Sequence, residues 1–485
     1  INRSSGVLLN GKRTLVPASL NPGDSIALGG VELFFFPSEQ PQHTGQPKKR
    51  PSPVGSLWLL TFIQLLLWGQ FAPGFGAENI YPVSAGFFGL CGLGWALYGV
   101  SRRLHRRQFD LETLALLLAT VGVAITAAWD PGALYKQLAA VALGMGIYCV
   151  LVWLLGRLQL AVKLRWPAAG LAAALLAFNV VMGERIFGAK NWISVGPISF
   201  QPSELVKLAF ILAGAATLDR LFAKRNLIFT VLFSAYCVGC LALMSDFGTA
   251  LVFFVAFLCI AFLRTGDLAS IVMMTAAAAF SGGLVLLFKP YVAQRFTVWR
   301  HAWEFTQTTG YQQSRTMSAA ASGGLFGTGP EDAWLKYVGA ANTDLVFGVV
   351  SEEFGLLLAL VCVGAVMALA VFALRSGDSA RSGFYAIAAC AAASMLIFQT
   401  TLNVLGAVDI LPLTGVTFPF VSMGGSSMLS CWGLLAYLKA ADVRLPPEEK
   451  PPEDKPEKPA RKREGFFEDM PEIPVDEIFG KEGRS

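Results

Sequence analysis

The sequence is short of charge. Asp, Glu, Lys and Arg make up 15% of its 485 residues, against about 25% in an average soluble protein. Histidine is scarcer still: His43, His105 and His301 are the only three, and none has metal-ligand spacing. The eight cysteines all sit in apolar stretches. Cys237 and Cys240 form a CxxC with no second pair or His beside it, which reads as helix packing, not a redox or metal centre. What fills the chain is apolar: 54% of residues are hydrophobic. A soluble protein of this size cannot hide that much apolar surface. A soluble enzyme and a secreted disulfide scaffold are excluded, and no nucleic-acid partner is expected. The net charge of +5 is modest, so its placement matters more than its size.

Apolar runs recur from about residue 57 to 438 and predict an all-α polytopic membrane protein of about twelve transmembrane helices. The spans fall near 57–71, 81–100, 111–129, 134–156, 167–183, 203–219, 227–244, 247–263, 268–288, 345–374, 383–404 and 418–438. With the N-terminus in the cytoplasm, the even-numbered loops hold Arg102, Arg103, Arg106, Arg107, Arg157, Lys163, Arg165, Arg220, Lys224, Arg225, Arg264, Arg375 and Arg381. The short odd-numbered loops hold only Lys136, Arg185 and Lys190. Positive charge stays inside, so both termini are expected in the cytoplasm and the lipid bilayer is the first partner. One outward loop is long, 289–344. It carries charge of both signs, aromatics and a glycine cluster, and is the natural seat of chemistry.

The ends differ from the middle. Residues 1–37 alternate turn signals (Asn10-Gly11, Pro22-Gly23-Asp24, Gly29-Gly30) with β-type runs. The pattern of Asn10, Gly11, Leu20, Gly23, Asp24, Ile26, Leu28, Gly29, Leu33 and Phe35 resembles the C-terminal half of a forkhead-associated (FHA) domain. The resemblance implies a small partial β-sandwich, and a phosphoprotein partner through a complete FHA domain. The strands that would carry its phosphothreonine-gripping Arg and Ser are not in this sequence. Residues 38–54 read as a polar linker, 55–109 as two extra helices, and 442–485 as a disordered cytoplasmic tail rich in Pro, Glu and Lys. The sequence opens on Ile1, shows no signal peptide, and reads as starting inside a longer chain.

A charge at membrane depth costs roughly 2.5–3.5 kcal/mol on insertion scales, so each asks for a reason. Glu204 and Lys207 share one helix face. Asp246 sits in an outward turn, "MSDFGTA". Asp344 precedes the tenth span, with Glu352 and Glu353 about two turns inside it. Carboxylates gathered at one membrane surface can hold a cation, take a proton or bind a polar head group; equally, each can cap a helix or pair with a base. Two Pro/Gly-broken returns, "GPISFQPSE" and "ILPLTGVTFPFVSMGGSS", outline a cavity open to the outside together with the long loop. "SGGLFGTG" (Ser322 to Gly329) lacks the Lys and the strand–helix context of a phosphate loop.

These segments resemble the SEDS family (shape, elongation, division and sporulation proteins, the FtsW/RodA/SpoVE group). "GAKNWISVGPISFQPSELVKL" matches its QPSE signature through Trp192, Gly196, Phe200, Gln201, Pro202, Ser203, Glu204 and Lys207. "SDFGTALV" resembles "PDLGTALV". "RFTVW…GYQQSRTMSAAASGGLFGTG" resembles the family's large loop through Arg295, Trp299, Gly310, Tyr311, Gln312, Gly323 and Gly324. "TDLVFGVVSEEFGLL" and "QTTLNVLGAVDILPLTGVTFPFVSMGGSS" resemble the remaining signatures, the last through Gln399, Asn403, Pro412, Thr414, Gly415, Pro419, Ser422, Gly424 and Ser426. The likeness covers roughly 110–441, a core of ten helices preceded by two more.

The resemblance implies a peptidoglycan glycosyltransferase that joins lipid II outside the cytoplasmic membrane and releases undecaprenyl pyrophosphate, with a class B penicillin-binding protein as transpeptidase partner. Such a site needs a base for the acceptor hydroxyl and positive charge for the leaving group. Lys190, Arg295, Arg300 and Arg315 are the basic candidates, with Mg²⁺ or Mn²⁺ as a conceivable aid. Trp192, Gln201, Ser203, Glu204, Lys207, Asp246, Tyr311, Gln312, Asp344, Glu352, Gln399, Asn403, Ser422 and Ser426 complete the substrate-binding candidates. One position departs from the family. Its loop reads "DP..DP.G.GYQ" and its second Asp is credited with catalysis, whereas this chain has "HAWEFTQTTGYQ", with Phe305 at that Asp and His301 at the first. Either Glu304 supplies the base through a shifted loop, which is the reading preferred here, or the site is weakened. A lipid II transporter and a non-catalytic scaffold coupled to phosphosignalling are the alternatives.

Overall fold

A computed structural model describes four short strands within residues 7–34 and then residues 53–442, apart from 75–76, 104–107, 187, 197, 219–223, 289, 378–379 and 381. Most of the linker and tail expected at 38–54 and 442–485 lies outside the described residues. The chain forms two compact units, Ile1–Trp58 and Leu59–Ser485.

In the first unit, β1 (Val7–Leu9), β2 (Lys12–Thr14), β3 (Ser25–Leu28) and β4 (Val31–Phe34) make one antiparallel sheet in the order β2-β1-β3-β4. Leu9 pairs with Lys12 and Leu28 with Val31. The paired ends are separated in the sequence by Asn10-Gly11 and Gly29-Gly30, dipeptides favoured in two-residue hairpin turns. The expected partial β-sandwich is not shown by the described residues. A sandwich needs a second sheet facing the first, and the described residues of this unit supply one small sheet.

The rest is helical. The chain runs through α1 (Pro53–Phe71), α2 (Ala77–Arg103), α3 (Asp110–Trp129), α4 (Leu134–Leu155) and α5 (Leu158–Met182). A three-stranded antiparallel sheet, β5 (Glu184–Ile186), β6 (Ala189–Val195) and β7 (Ile198–Phe200), then leads into α6 (Pro202–Leu218). There follow α7 (Lys224–Leu243), α8 (Phe247–Thr265), α9 (Leu268–Phe288), α10 (Pro290–Val298), α11 (Tyr311–Gly323), α12 (Val346–Glu353), α13 (Leu356–Gly377), α14 (Gly383–Ala407) and α15 (Gly425–Ala441). Twelve of these, α1 to α9 and α13 to α15, answer to the twelve expected spans. Among the described residues, eight are long and apolar enough to cross a membrane. Helices α6 and α15 have 17 residues each, about 25 Å at 1.5 Å per residue, and each follows a Pro/Gly-broken return.

The core lies where α3, α4, α6, α14 and α15 meet. Small residues allow close approach, as between membrane helices generally. A Cβ on Gly144 would stand 2.6 Å from the Trp432 ring, and one on Gly122 would stand 2.6 Å from the Val421 carbonyl oxygen. At the end of the bundle away from the long loop, Lys439 reaches Glu112 Oε1 at 2.9 Å and the Gln108 carbonyl at 2.6 Å, and Tyr148 donates to the same Glu112 oxygen. Both charges are buried.

Two expectations are corrected. Residues 345–374 are not one span but two helices, α12 and α13, parted at Phe354 and Gly355. Gly355 has φ +88°, and a Cβ there would meet the Leu325 carbonyl oxygen at 2.3 Å. Helix α13 alone, at 22 residues, is long and apolar enough to cross a bilayer. Glu352 therefore lies at the loop end, not two turns inside a span. The glycine-rich stretch is hydrogen-bonded to the α12–α13 break. Thr328 and Gly329 N–H groups donate to the Glu352 and Glu353 carbonyls, while Leu356 and Leu357 donate back to Gly324 and Leu325.

Candidate active site

At the loop end, α10 and α11 meet the segment returning from α14 around a cavity of about 190 Å³. Gln294 and Arg295 of α10, Gln312 and Gln313 of α11, Asp344 and Gly415 line it, with Val298, Thr309 and Leu413. Arg295 is set by its Nη1 donating to the Leu413 carbonyl at 2.7 Å. Gln313 donates to Asp409 Oδ1 at 3.0 Å and Gln312 to the Gly339 carbonyl at 2.9 Å. Gly415 has φ +72°, and a Cβ there would stand 3.3 Å from Asp344 Oδ2, so a glycine lets the backbone come up beside the carboxylate. Burial pushes the Asp344 carboxyl up from 3.8 to about 6. The Arg295 guanidinium and a Thr343 hydrogen bond pull it back, and Asp246 adds to the rise.

The floor beneath is a hydrogen-bonded frame. Asp246 caps α8 by accepting from Thr249 N at 3.1 Å, and its other oxygen accepts from Asn191 Nδ2 at 2.8 Å and Gln201 Nε2 at 2.9 Å. Gln201 N donates to Ser426 Oγ at 3.3 Å, joining the two broken returns. Asn403 Nδ2 bridges the Asp344 and Val416 carbonyls at 2.9 and 2.8 Å. Ser422 Oγ donates to the Thr343 carbonyl at 2.6 Å and accepts from Phe418 N.

Of the residues singled out in the sequence, Arg295, Gln312 and Asp344 come together in the cavity, and Gln201, Asp246, Asn403, Ser422 and Ser426 build its frame. Glu204 and Lys207 form a buried pair at 2.7 Å, with Ser203 beside them in the first turn of α6. Gln399 is buried on α14, and its amide finds no partner among the described residues. The others lie apart. Lys190 Nζ is taken by the Val180 and Val181 carbonyls at the end of α5. Trp192 pairs with Glu184 in the β5–β6 hairpin. Arg315 stacks on Tyr311, both exposed. Arg300, at φ +65°, offers its backbone N–H to Asp409 Oδ1 and leaves its side chain exposed. Glu352 accepts the Trp334 and Leu335 amides at 3.0 Å each, a structural cap. Glu304 is exposed on the turn 301–305 and does not line the cavity. Sequence reasoning passes over Gln313, Asp409 and Asn191. Asp409 sits within the last signature, which is the one signal that could have found it.

Among the described residues, no group of three or more His, Cys, Asp or Glu side chains is placed to hold a metal ion. Mg²⁺ is commonly held by one or two carboxylates together with substrate phosphates, an arrangement that needs no such group.

The FtsW/RodA/SpoVE cell cycle protein family model matches residues 107–445. The chain belongs to this family. Helices α1 and α2 precede the match, and the FHA-like segment has no support from it. A Tolumonas auensis protein named probable peptidoglycan glycosyltransferase FtsW is 32% identical over 312 residues, 62% of this chain and 80% of that one. A Saccharophagus degradans protein of the same name is 27% identical over 382 residues, 72% and 96% of the two chains. Among solved structures, the Thermus thermophilus rod shape determining protein RodA superposes with a TM-score of 0.53 at 25% identity, over 70% of this chain and 98% of that one. A chain from a peptidoglycan synthase complex coordinating polymerization and crosslinking gives 0.57 at 25% identity, over 69% and 97%. The family member described here is thus a multi-pass membrane protein.

Proposed function

We propose that the protein is a peptidoglycan glycosyltransferase that polymerises lipid II at the outer face of a bacterial cytoplasmic membrane and releases undecaprenyl pyrophosphate, in division, elongation or sporulation. The observation that carries this is the cavity at the loop end, which sets one guanidinium beside one carboxylate on a family fold. Glycosyl transfer asks for a proton acceptor near the attacking hydroxyl and positive charge near the departing phosphate. Asp344 is the carboxylate in the cavity lining, and Glu304 is exposed on the turn 301–305 outside it. The basic residues gather at the opposite end, which supports cytoplasmic termini. A class B penicillin-binding protein is the partner this reading implies, by the likeness to a synthase complex. A phosphoprotein partner would engage the N-terminal unit only within a complete FHA domain. Transport, the second reading, would need a cavity reachable from both faces, including the far end where the buried Glu112–Lys439 pair joins α3 to α15.

The test is polymerisation of lipid II by the purified protein, with and without a transpeptidase partner. Glycan strands are expected from the wild type, and Arg295→Ala should slow their formation by about 10²-fold, the usual cost of one lost transition-state donor. No strands under either condition would turn the reading towards a scaffold.

A further inference from the structure

We infer that Asp344 is the general base of the transfer, taking the proton of the acceptor hydroxyl while Arg295 faces the departing pyrophosphate across the same cavity. This rests on the glycosyltransferase reading above and names the group that performs it. In the step, the acceptor O–H proton passes to the Asp344 carboxylate. The freed oxygen bonds to the anomeric carbon of the donor sugar, the bond from that carbon to the pyrophosphate oxygen breaks, and its electron pair leaves on the pyrophosphate.

The assignment follows from elimination within a defined space. Among the residues lining the cavity, Asp344 is the one carboxylate and Arg295 the one cation. The neighbouring acids are engaged elsewhere. Asp246 accepts from three donors, Asp409 from Gln313 and the Arg300 amide, and Glu352 from two loop amides. Glu304 is exposed on its turn and outside the lining.

The backbone of Asp344 is fixed without use of its side chain. Its carbonyl accepts from Asn403, that of Thr343 from Ser422, and that of Asn342 from Met423 N at 2.9 Å. Gly415 leaves room at Oδ2 that a side chain would fill. The charged groups facing the carboxyl are Arg295 from α10 and Asp246 from the start of α8. Helix α11 presents Gln312 and Gln313, α14 presents Asn403, and the return segment presents Gly415, all uncharged. A carboxyl poised at about 6 is ionised at neutral pH yet basic enough to accept a proton.

The experiment compares wild type, Asp344→Asn, Asp344→Glu and Glu304→Gln in single-turnover lipid II polymerisation from pH 5 to 8.5, with thermal stability measured alongside. The wild-type rate is expected to rise through about pH 6 and then level. Asp344→Asn should lose about 10²-fold or more and lose that limb, with a melting temperature at or above wild type. Asp344→Glu should keep measurable rate with the limb displaced, and Glu304→Gln should keep the limb in place. Wild-type rates from Asp344→Asn, or a limb that disappears in Glu304→Gln instead, would overturn the assignment and leave the glycosyltransferase reading standing. A rate loss in Asp344→Asn that merely tracks lost folding would also overturn it. No product from wild type overturns both.

Discussion

Glu353 shows what an isolated residue costs here. It is 2% exposed, and neither carboxylate oxygen finds a hydrogen-bond partner among the described residues. Burial pushes it up from 4.5 to about 8; Lys336 opposes the rise and Glu352 adds to it. A raised folded-state value means the neutral form is favoured in the fold, so its contribution to stability is full below about 4.5 and falls as pH climbs to about 8. Glu353→Gln should therefore match wild type in thermal stability near pH 4, exceed it increasingly up to about pH 8, and hold a constant margin above that. At this scale the sequence is half legible. Arg295, Asp344 and Gln312 can be found from motifs. The pairing of Gln313 with Asp409, 96 residues apart, and of Asn191 with Asp246, 55 apart, cannot, because no local periodicity carries it. For Glu304, the place in the loop is legible, but the turn 301–305 that leaves it exposed is not.

Among the elements, the long apolar runs are readable because a helix in lipid must be apolar over about 20 residues. The break between α12 and α13 is not, since Phe354 is itself apolar and one glycine leaves the hydropathy unchanged. The β5–β7 sheet is missed for the opposite reason, as its polar residues read as loop. The buried Glu112–Lys439 pair joins α3 to α15 across 327 residues. Removing one partner of such a pair strands a buried charge, at about 3–5 kcal/mol. Glu112→Ala should lower the melting temperature markedly, and adding Lys439→Met should restore much of the loss. A double variant no more stable than the single one would show that the pair is not the cause.

For the molecule as a whole, the proposed orientation is open to direct measurement. Tyr337, 83% exposed at the loop end, should as Tyr337→Cys react with a membrane-impermeant maleimide on intact cells. Cysteine placed at Arg102, in the last turn of α2, should react only after permeabilisation. The reverse pattern would invert the orientation and the proposed chemistry with it. The two-way stitching of residues 324–329 to 352–357 has a mechanical meaning. Amides crossing in both directions rivet the two strips to each other, so neither moves without the other. Parting them breaks four backbone hydrogen bonds together, so the amides of Thr328, Gly329, Leu356 and Leu357 are expected to exchange their hydrogens as one unit.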